Sequence, residues 1–380
     1  MKEYDVLIIG GGPAGSTMGR ELKNSNLQVA IMDKSDFPRD KICAGWVTPA
    51  VMDELEIDLV DYANGCTLQA IHGFRVGQLG RTLVDSHYGK ETVSYGILRR
   101  EFDSYLLNRC GTELLLEQKF VSMEKNEKGW LVNGSIQAGL VVGAGGHFCP
   151  VARMLSHKSE YEDQQVVTAQ EVEFEMTDEQ LKNCKIDAEV PELFFTPDLE
   201  GYGWVFRKGN FLNIGLGRED NHKLSSHVKA FCQYLIKEGK VPADMPEKLH
   251  GHAYLLYPHA LRKMVHDGVL LIGDAAGLAY PQSGEGIRPA IESAMLAAKV
   301  VNQCQGDYSS EKLSAYDDEM THRFGERESG PDVMEYLPMG LKKVMARYLM
   351  QSKWFTKNIV MDRWFLQIHQ DALTSQVASS

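Results

Sequence analysis

The chain has 380 residues, enough for two domains or one domain with a large insertion, and enough to bury a substantial core without covalent staples. With 52 acidic and 40 basic side chains its net charge is -12, which excludes a general nucleic-acid surface because such a protein repels phosphate backbones. Its seven scattered cysteines form no CxxC pair, which argues against a disulfide framework and a structural zinc site, and no stretch reaches the ~18 apolar residues of a membrane span, so the sequence reads as that of a cytoplasmic protein.

In chain order, Tyr4 to Gly10 is an apolar run rich in Val and Ile, followed by glycines, a helical pattern from Pro13 to Lys23 and a second apolar run from Leu27 to Met32. That is a β-α-β unit. A strand-like segment from Thr92 precedes a predicted helix from Arg100 to Cys110, a strand from Glu113 to Gln118, a hairpin around Asn126 to Gly129 and a buried strand from Leu140 to Val142. Between Val166 and Gly217 short alternating runs with aromatic residues predict a mostly antiparallel sheet, and Gly268 to Ile272 returns to a buried, parallel-type strand. Gly286 to Val301 reads as one helix with small and apolar residues on its inner face, and the residues after it are helix-like.

The expected fold is therefore α/β: a Rossmann-like domain interrupted by an inserted, mostly antiparallel sheet, with a helical C-terminal region. The expected division is a nucleotide domain of residues 1–65, 98–160 and 262–305, a substrate domain of 66–97 and 161–261, and a C-terminal region of 306–380.

Gly10-Gly11-Gly12-Pro13-Ala14-Gly15 satisfies GxGxxG between a predicted strand and a predicted helix, the context in which the motif has meaning. Gly10 permits the tight turn, Gly12 lets the backbone approach a pyrophosphate, and Gly15 lets helix and strand pack closely; Pro13 and Ala14 open a helix whose unpaired N–H groups favour an anion. Asp33, with Lys34 after it, ends the second strand. A carboxylate there accepts hydrogen bonds from both hydroxyls of an adenosine ribose and repels a 2'-phosphate, so the expected dinucleotide is FAD or NAD rather than NADP.

Gly273-Asp274-Ala275-Ala276-Gly277 follows the buried strand, and Gly284-Glu285-Gly286-Ile287 opens the next helix. With these motifs the chain resembles the geranylgeranyl reductase family of FAD-dependent oxidoreductases, within the p-hydroxybenzoate hydroxylase-like flavoprotein superfamily. The resemblance implies FAD as cofactor, with Asp274 on its ribityl chain and Gly284, Gly286 and Ile287 at the pyrimidine edge of the flavin. A reduced flavin carries negative charge near that edge, and a helix N-terminus stabilises an anion by about 0.3 to 2 kcal/mol.

Leu98-Arg99-Arg100-Glu101-Phe102-Asp103 resembles the family's arginine-x-x-Phe-Asp segment, which implies that Arg99 holds the FAD phosphates and that Val121, at a following strand end, meets the adenine. Val141-Val142-Gly143-Ala144-Gly145-Gly146 stands where the superfamily has GADG, but Gly145 replaces the aspartate and the loop to Arg153 is one residue longer. Gly201-Tyr202-Gly203-Trp204-Val205-Phe206, followed by Asn213-Ile214-Gly215-Leu216-Gly217, resembles the substrate-sheet signature, with Arg207 where proline is usual. This implies Tyr202 and Trp204 as cavity-lining residues above the flavin.

Pro38-Arg39-Asp40-Lys41-Ile42-Cys43-Ala44-Gly45-Trp46 resembles the reductases' segment in which a cysteine and small residues approach the flavin ring, with Ala44 where glycine is more usual. Arg39, Lys41, Cys43 and Ala44 are thus expected at the cofactor, and Cys43 is the catalytic candidate. Its thiol can donate a proton or simply pack as a small apolar group. Glu285 is a weaker acid candidate, since a glutamate in a helix's first turn commonly serves the helix dipole. The histidines form no HExxH motif, and no metal site is expected.

The C-terminal region carries Lys342, Lys343, Arg347, Lys353, Lys357 and Arg363 against Asp362, interleaved with Tyr348, Trp354, Phe355, Trp364 and Phe365, reversing the sign of the whole chain. Such a segment lies on an anionic membrane surface or packs its aromatics on the core; the first would suit a lipid-like substrate. The leading expectation is a reductase of carbon–carbon double bonds in an isoprenoid or lipid-like chain. The alternatives are a flavin monooxygenase, which the same scaffold supports, and a non-catalytic flavin-binding partner protein. The halogenase signature Trp-x-Trp-x-Ile-Pro is absent from the sequence. A second GxGxxG is absent too, so electrons are expected from transiently bound NAD(P)H or another reduced carrier, a donor protein included.

Overall fold

The computed structural model describes residues 1–155, 166–220, 223–260, 262–327 and 337–375. The first strands are β1 (Lys2–Ile9), β2 (Val29–Met32), β3 (Trp46–Val47), β4 (Leu68–Ile71), β5 (Gly73–Gln78), β6 (Val84–His87) and β7 (Ser94–Ile97). They are followed by β8 (Glu113–Leu115), β9 (Met123–Asn126), β10 (Gly129–Val132), β11 (Ile136–Gly143), β12 (Val166–Glu175) and β13 (Glu192–Phe195). The last are β14 (Gly201–Lys208), β15 (Phe211–Arg218), β16 (His250–Leu255), β17 (Val265–His266) and β18 (Val269–Leu271).

Parallel pairing places β1 between β2 and β11, with β8 beyond β2 and β18 beyond β11. β2 and β18 are short and wholly buried, and β11 is almost wholly buried along its eight residues, as parallel sheets covered by helices require. The helix Pro13–Leu22 packs between this sheet and the long helix Ile287–Cys304, and their apolar faces merge with the strands into the largest core cluster. The carboxyl ends of β1, β2, β11 and β18 point to one edge, where doubly wound sheets bind their ligands.

A seven-stranded sheet runs in the order β16-β12-β15-β14-β13-β5-β6 and is antiparallel except for the β5–β13 pair. One face packs on the helix Leu224–Lys237. The other carries Trp204, Phe206 and Leu193 and packs against Trp46 and the C-terminal residues Val360, Met361 and Phe365. A small sheet, β3-β7-β4, is separate from the two large ones, so residues 66–97 divide between two sheets. The expected domain limit at 160/161 lies outside the described residues.

Sequence and structure differ at element ends. The helix expected from Arg100 spans Arg99–Asn108, and the strand expected to reach Gln118 stops at Leu115. Glu117 adopts φ 56° and the Gln118 N–H turns back to the Asp33 carbonyl at 2.9 Å, which ends the pairing. β11 is longer than expected because β1, β10 and β18 all pair with it. The C-terminal region contains helices at Ser310–Leu313, Ala315–Phe324, Met339–Leu349 and Lys353–Phe355, then a π-helix at Thr356–Phe365. Among the described residues no helix is long and apolar enough to cross a membrane.

Candidate functional site

One cavity of about 690 Å³ runs from the glycine turn after β1 to the aromatic face of β14, a size suited to a cofactor. Gly10, Gly12, Pro13, Ala14, Asp33, Lys34, Arg39, Lys41, Cys43, Ala44 and Arg99 line it, together with Asp274, Gly284, Gly286, Ile287, Tyr202 and Trp204. Residues expected from four distant stretches of sequence therefore meet at one surface.

At the cradle, Gly10 has φ 120°, and a Cβ there would lie 2.5 Å from the Ala144 carbonyl oxygen. Gly15 lies behind the wall rather than in it: a Cβ would fall 1.8 Å from the Gly10 oxygen, so this residue sets how closely the helix approaches β1. Pro13 opens the helix without an N–H to satisfy. The Asp33 carboxylate accepts the Gly11 N–H at 2.8 Å through one oxygen and the Ser35 N–H at 2.9 Å through the other, which fixes it at the rim of the cradle.

Beside the cradle sits a cationic corner. The Arg99 guanidinium grips Asp103 through two bonds of 2.9 and 3.1 Å, and Arg39 reaches the same carboxylate at 3.4 Å. Burial, and then the charge of Arg99, push the Lys41 ammonium below its ordinary range. Its Nζ lies 3.3 Å from the His252 Nδ1, and the His252 Nε2 lies 3.8 Å from Asp274. Burial and the charges of Lys41 and Arg99 hold His252 well below the usual imidazole value, so it is neutral. Burial raises the Asp274 carboxyl, while Lys41, Arg99 and Arg262 pull it back. The Arg262 side chain donates to the carbonyls of His147 and Ala275, tying the Asp274 turn to the loop after β11. That lengthened loop also reaches the cavity, through Gly145, Gly146, His147, Phe148 and Arg153.

Cys43 is half-buried on a loop held from below by the seven-stranded sheet. Its N–H donates to Glu171 at 2.6 Å, its carbonyl accepts from Asn213 at 3.2 Å, and Lys208 donates to the next carbonyl, that of Ala44, at 3.0 Å. Trp204 Nε1 anchors Asn213 at 2.7 Å. Burial, and then the charge of Glu173, raise the Glu171 carboxyl to about 7, although Lys208 opposes this. Glu285 is raised to about 7 as well, by burial; one of its oxygens takes the Arg288 N–H at 3.3 Å and the other has no hydrogen-bond partner.

At the far end, Tyr202 and Trp204 stand 5.9 Å apart with Phe206, Leu193, Ala169 and Trp46 around them. The Tyr202 hydroxyl donates to the Ser283 carbonyl, joining this wall to the turn before Gly284.

Besides Gly15, two expected positions fall outside the cavity, Gly273 and Val121. Gly273, with φ 60°, lies behind the wall and donates its N–H to Ser293 at 3.0 Å. Val121 does not meet the cavity; it is 69% exposed, and Gln118, Lys119 and Phe120 line the cavity in its place. The cause is the early end of β8, which turns the chain toward Asp33 before Val121 is reached. Sequence reasoning missed Glu171, His252 and His147. The alternation His250-Gly251-His252 on a strand was a usable signal for His252; Glu171 sits in a strand whose Glu171 and Glu173 read as a solvated face.

The chain matches the family described as FAD binding domain over residues 3–327, and it belongs to that family. Digeranylgeranylglycerophospholipid reductase 3 of Methanosphaera stadtmanae is 28% identical over 349 residues, covering 86% of this chain and 85% of that protein. The digeranylgeranylglycerophospholipid reductase of Methanococcus aeolicus is 27% identical over 325 residues, covering 80% of each chain. A geranylgeranyl bacteriochlorophyll reductase-like protein of Thermoplasma acidophilum superposes with a TM-score of 0.73 at 21% identity, covering 99% of this chain and 94% of that one. The flavin-dependent brominase Bmp2 superposes with a TM-score of 0.67 at 17% identity, covering 97% and 93% of the two chains, a likeness of fold alone. The protein is an FAD-dependent oxidoreductase, and the two sequence relatives named above are reductases.

Proposed function

We propose that the protein reduces carbon–carbon double bonds of an isoprenoid or other lipid-like substrate, using FAD held in this cavity. The observation that carries the reading is the continuity of the cavity, from a glycine cradle with cations beside it to a wall of Tyr202, Trp204 and Phe206 suited to an apolar chain. The reductase relatives support the substrate class.

The residues fit the cofactor. Gly10, Gly12, Pro13 and Ala14 would face its pyrophosphate with Arg39, Lys41 and Arg99 as counter-charges, Asp33 its ribose, and Asp274 with Gly284 to Ile287 its ribityl chain and pyrimidine edge. Bound FAD supplies a hydride when reduced. The alkene carbon that does not receive the hydride must take a proton, and three groups that line the cavity can supply it: Cys43, Glu171 and Glu285, the last with its carboxyl also raised to about 7. Cys43 offers its Sγ from the loop facing the cavity. Glu171 lies directly beneath, lines the same cavity and carries a carboxyl poised near neutrality. The aromatic wall excludes water around the double bond.

The division of labour follows the sheets: residues 1–65, 98–160 and 262–305 would hold FAD and 66–97 with 161–261 the substrate, supported by the origin of most strands of each large sheet. NAD(P)H, or a reduced donor protein, would restore the electrons. Contact with a membrane through the C-terminal region belongs to the same reading. The test is incubation of anaerobically reduced holoenzyme with a polyunsaturated isoprenoid, followed by mass spectrometry. Gain of two hydrogens per double bond is expected; an oxygenated product on admission of air, with no hydrogenation, would replace the reading with a monooxygenase.

A further inference from the structure

The helix Met339–Leu349 is oriented against the usual rule for a surface helix. Leu341, Val344, Met345, Tyr348 and Leu349 recur at the spacing of one helical face, yet all five point to solvent and no residue of the helix is buried. A helix of a globular domain turns such a stripe inward, and a contiguous exposed apolar stripe marks an interaction site. Tyr348 is 70% exposed, and Trp354, a turn beyond, is 65% exposed. Lys342, Lys343, Arg347, Lys353 and Lys357 flank the stripe, and the acidic side chain in this stretch, Asp362, is occupied by the Tyr88 hydroxyl.

The chain then leads straight to the aromatic wall. Met350 is buried against the inner face of the seven-stranded sheet, and the π-helix Thr356–Phe365 roofs that face with Val360, Met361 and Phe365. The Phe365 ring stands 5.3 Å from Tyr202 and 5.5 Å from Trp46, both of which line the cavity. A π-helical turn leaves backbone bonds irregular and often accompanies function.

We propose that this stripe is the face by which the protein docks on an anionic lipid bilayer, with Leu341, Val344, Met345, Tyr348, Leu349 and Trp354 in the acyl boundary and the basic residues among the headgroups. Charge complementarity selects this partner: a protein of net charge -12 concentrates positive charge around an exposed apolar stripe, the combination that anionic headgroups over an apolar interior complement. Docking brings the segment that packs on the aromatic wall to the membrane, which shortens the path of a lipid-like substrate from bilayer to cavity. The inference rests on the lipid-like substrate proposed above.

The experiment uses the FAD-loaded full chain and vesicles of phosphatidylcholine with or without phosphatidylglycerol. Co-sedimentation of the native protein with the anionic vesicles at low salt is expected, with loss at high salt and little binding to neutral vesicles. Val344→Glu/Tyr348→Glu should abolish binding, and Lys342→Ala/Lys343→Ala should weaken it by about thirtyfold. The flavin spectrum confirms that each variant is folded. With isoprenoid dispersed in detergent, the variants should turn over like the native protein; with isoprenoid embedded in anionic vesicles they should lose most of their rate. Failure of the native protein to bind anionic vesicles, or equal binding by the glutamate variant, overturns the proposal. So does a native dimer that Val344→Glu dissociates, since the stripe would then be covered by a second copy. Binding without any hydrogenation in detergent would leave the docking face standing and remove the reductase reading.

Discussion

At the scale of single residues, Cys43, Glu171 and Glu285 compete for the proton step, and they are separable. If the thiol is the donor, Cys43→Ala lowers turnover by about 100-fold or more while Glu171→Gln and Glu285→Gln have small effects; if one of the carboxyls is the donor, its own glutamine variant has the large effect. The account favours a role for Glu171, whose carboxyl is raised to about 7, so turnover in the native protein should fall as pH rises through that value and Glu171→Gln should erase that limb. A pH profile unchanged by Glu171→Gln would remove the carboxyl from the proton step.

The same residue makes a stability prediction. A buried carboxyl whose value in the folded state lies above its ordinary 4.5 contributes stability fully at low pH and loses it as pH rises to about 7. The apoprotein of Glu171→Gln should therefore gain on the native apoprotein between about pH 4.5 and 7, by up to about 3 kcal/mol, as read by denaturant unfolding at each pH. His147 works in the opposite direction. Burial and the charge of Arg262 hold it at about 4, so its contribution is present above the ordinary imidazole value and disappears as pH falls toward 4.

Much of the site was legible at this scale because glycine positions carry their reason in the sequence: a turn between a strand and a helix, or the start of a helix. Gly10, Gly12, Asp33, Asp274 and Gly286 all line the cavity for that reason, whatever the distances along the chain. Glu171 was not legible, because its partner Cys43 is 128 residues away and a glutamate alternating with apolar residues in a strand looks solvated. Only the packing of that face of the sheet against the Cys43 loop turns Glu171 toward the cavity.

At the scale of elements, the helix Pro13–Leu22 is fixed by Gly15. Gly15→Ala would place a methyl group 1.8 Å from the Gly10 oxygen, so the helix must back away from β1 and the cradle must open. We expect a colourless protein destabilised by about 3 kcal/mol; a fully flavin-loaded Gly15→Ala protein would contradict the role given to this contact. Element identity was read well where apolar runs and glycine turns coincide, as in β1, the helix after it and β18. Ends were read less well because tertiary partners set them. β8 stops where Gln118 bonds to Asp33, and β11 extends because β10 and β18 both claim it. That early stop is also why Phe120 rather than Val121 reaches the cavity.

At the scale of the whole molecule, two sheets line one cavity, and the C-terminal segment packs against its aromatic wall. The parallel sheet presents its strand ends and helix start to the cofactor, and the antiparallel sheet presents a wall of aromatic rings. Phe365 ties the C-terminal segment to that wall, so Phe365→Ala should leave FAD bound and raise KM for a long isoprenoid severalfold more than for a short one, measured in detergent. Equal effects on both chain lengths would deny the segment a part in substrate binding. The C-terminal charge reversal was plain in the sequence, but which face of the helix it flanked was not, since an apolar stripe at helical spacing ordinarily turns inward.

The central claim is that hydride goes from reduced flavin to an alkene rather than electrons to oxygen. It is tested most directly by stopped-flow mixing of the anaerobically reduced protein with an unsaturated isoprenoid, and separately with oxygenated buffer, while the flavin spectrum is recorded. The account predicts rapid reoxidation by the isoprenoid in the absence of oxygen, and slow, featureless reoxidation by oxygen. A transient absorbing between oxidised and reduced flavin on mixing with oxygen, together with no reoxidation by the isoprenoid, would contradict it.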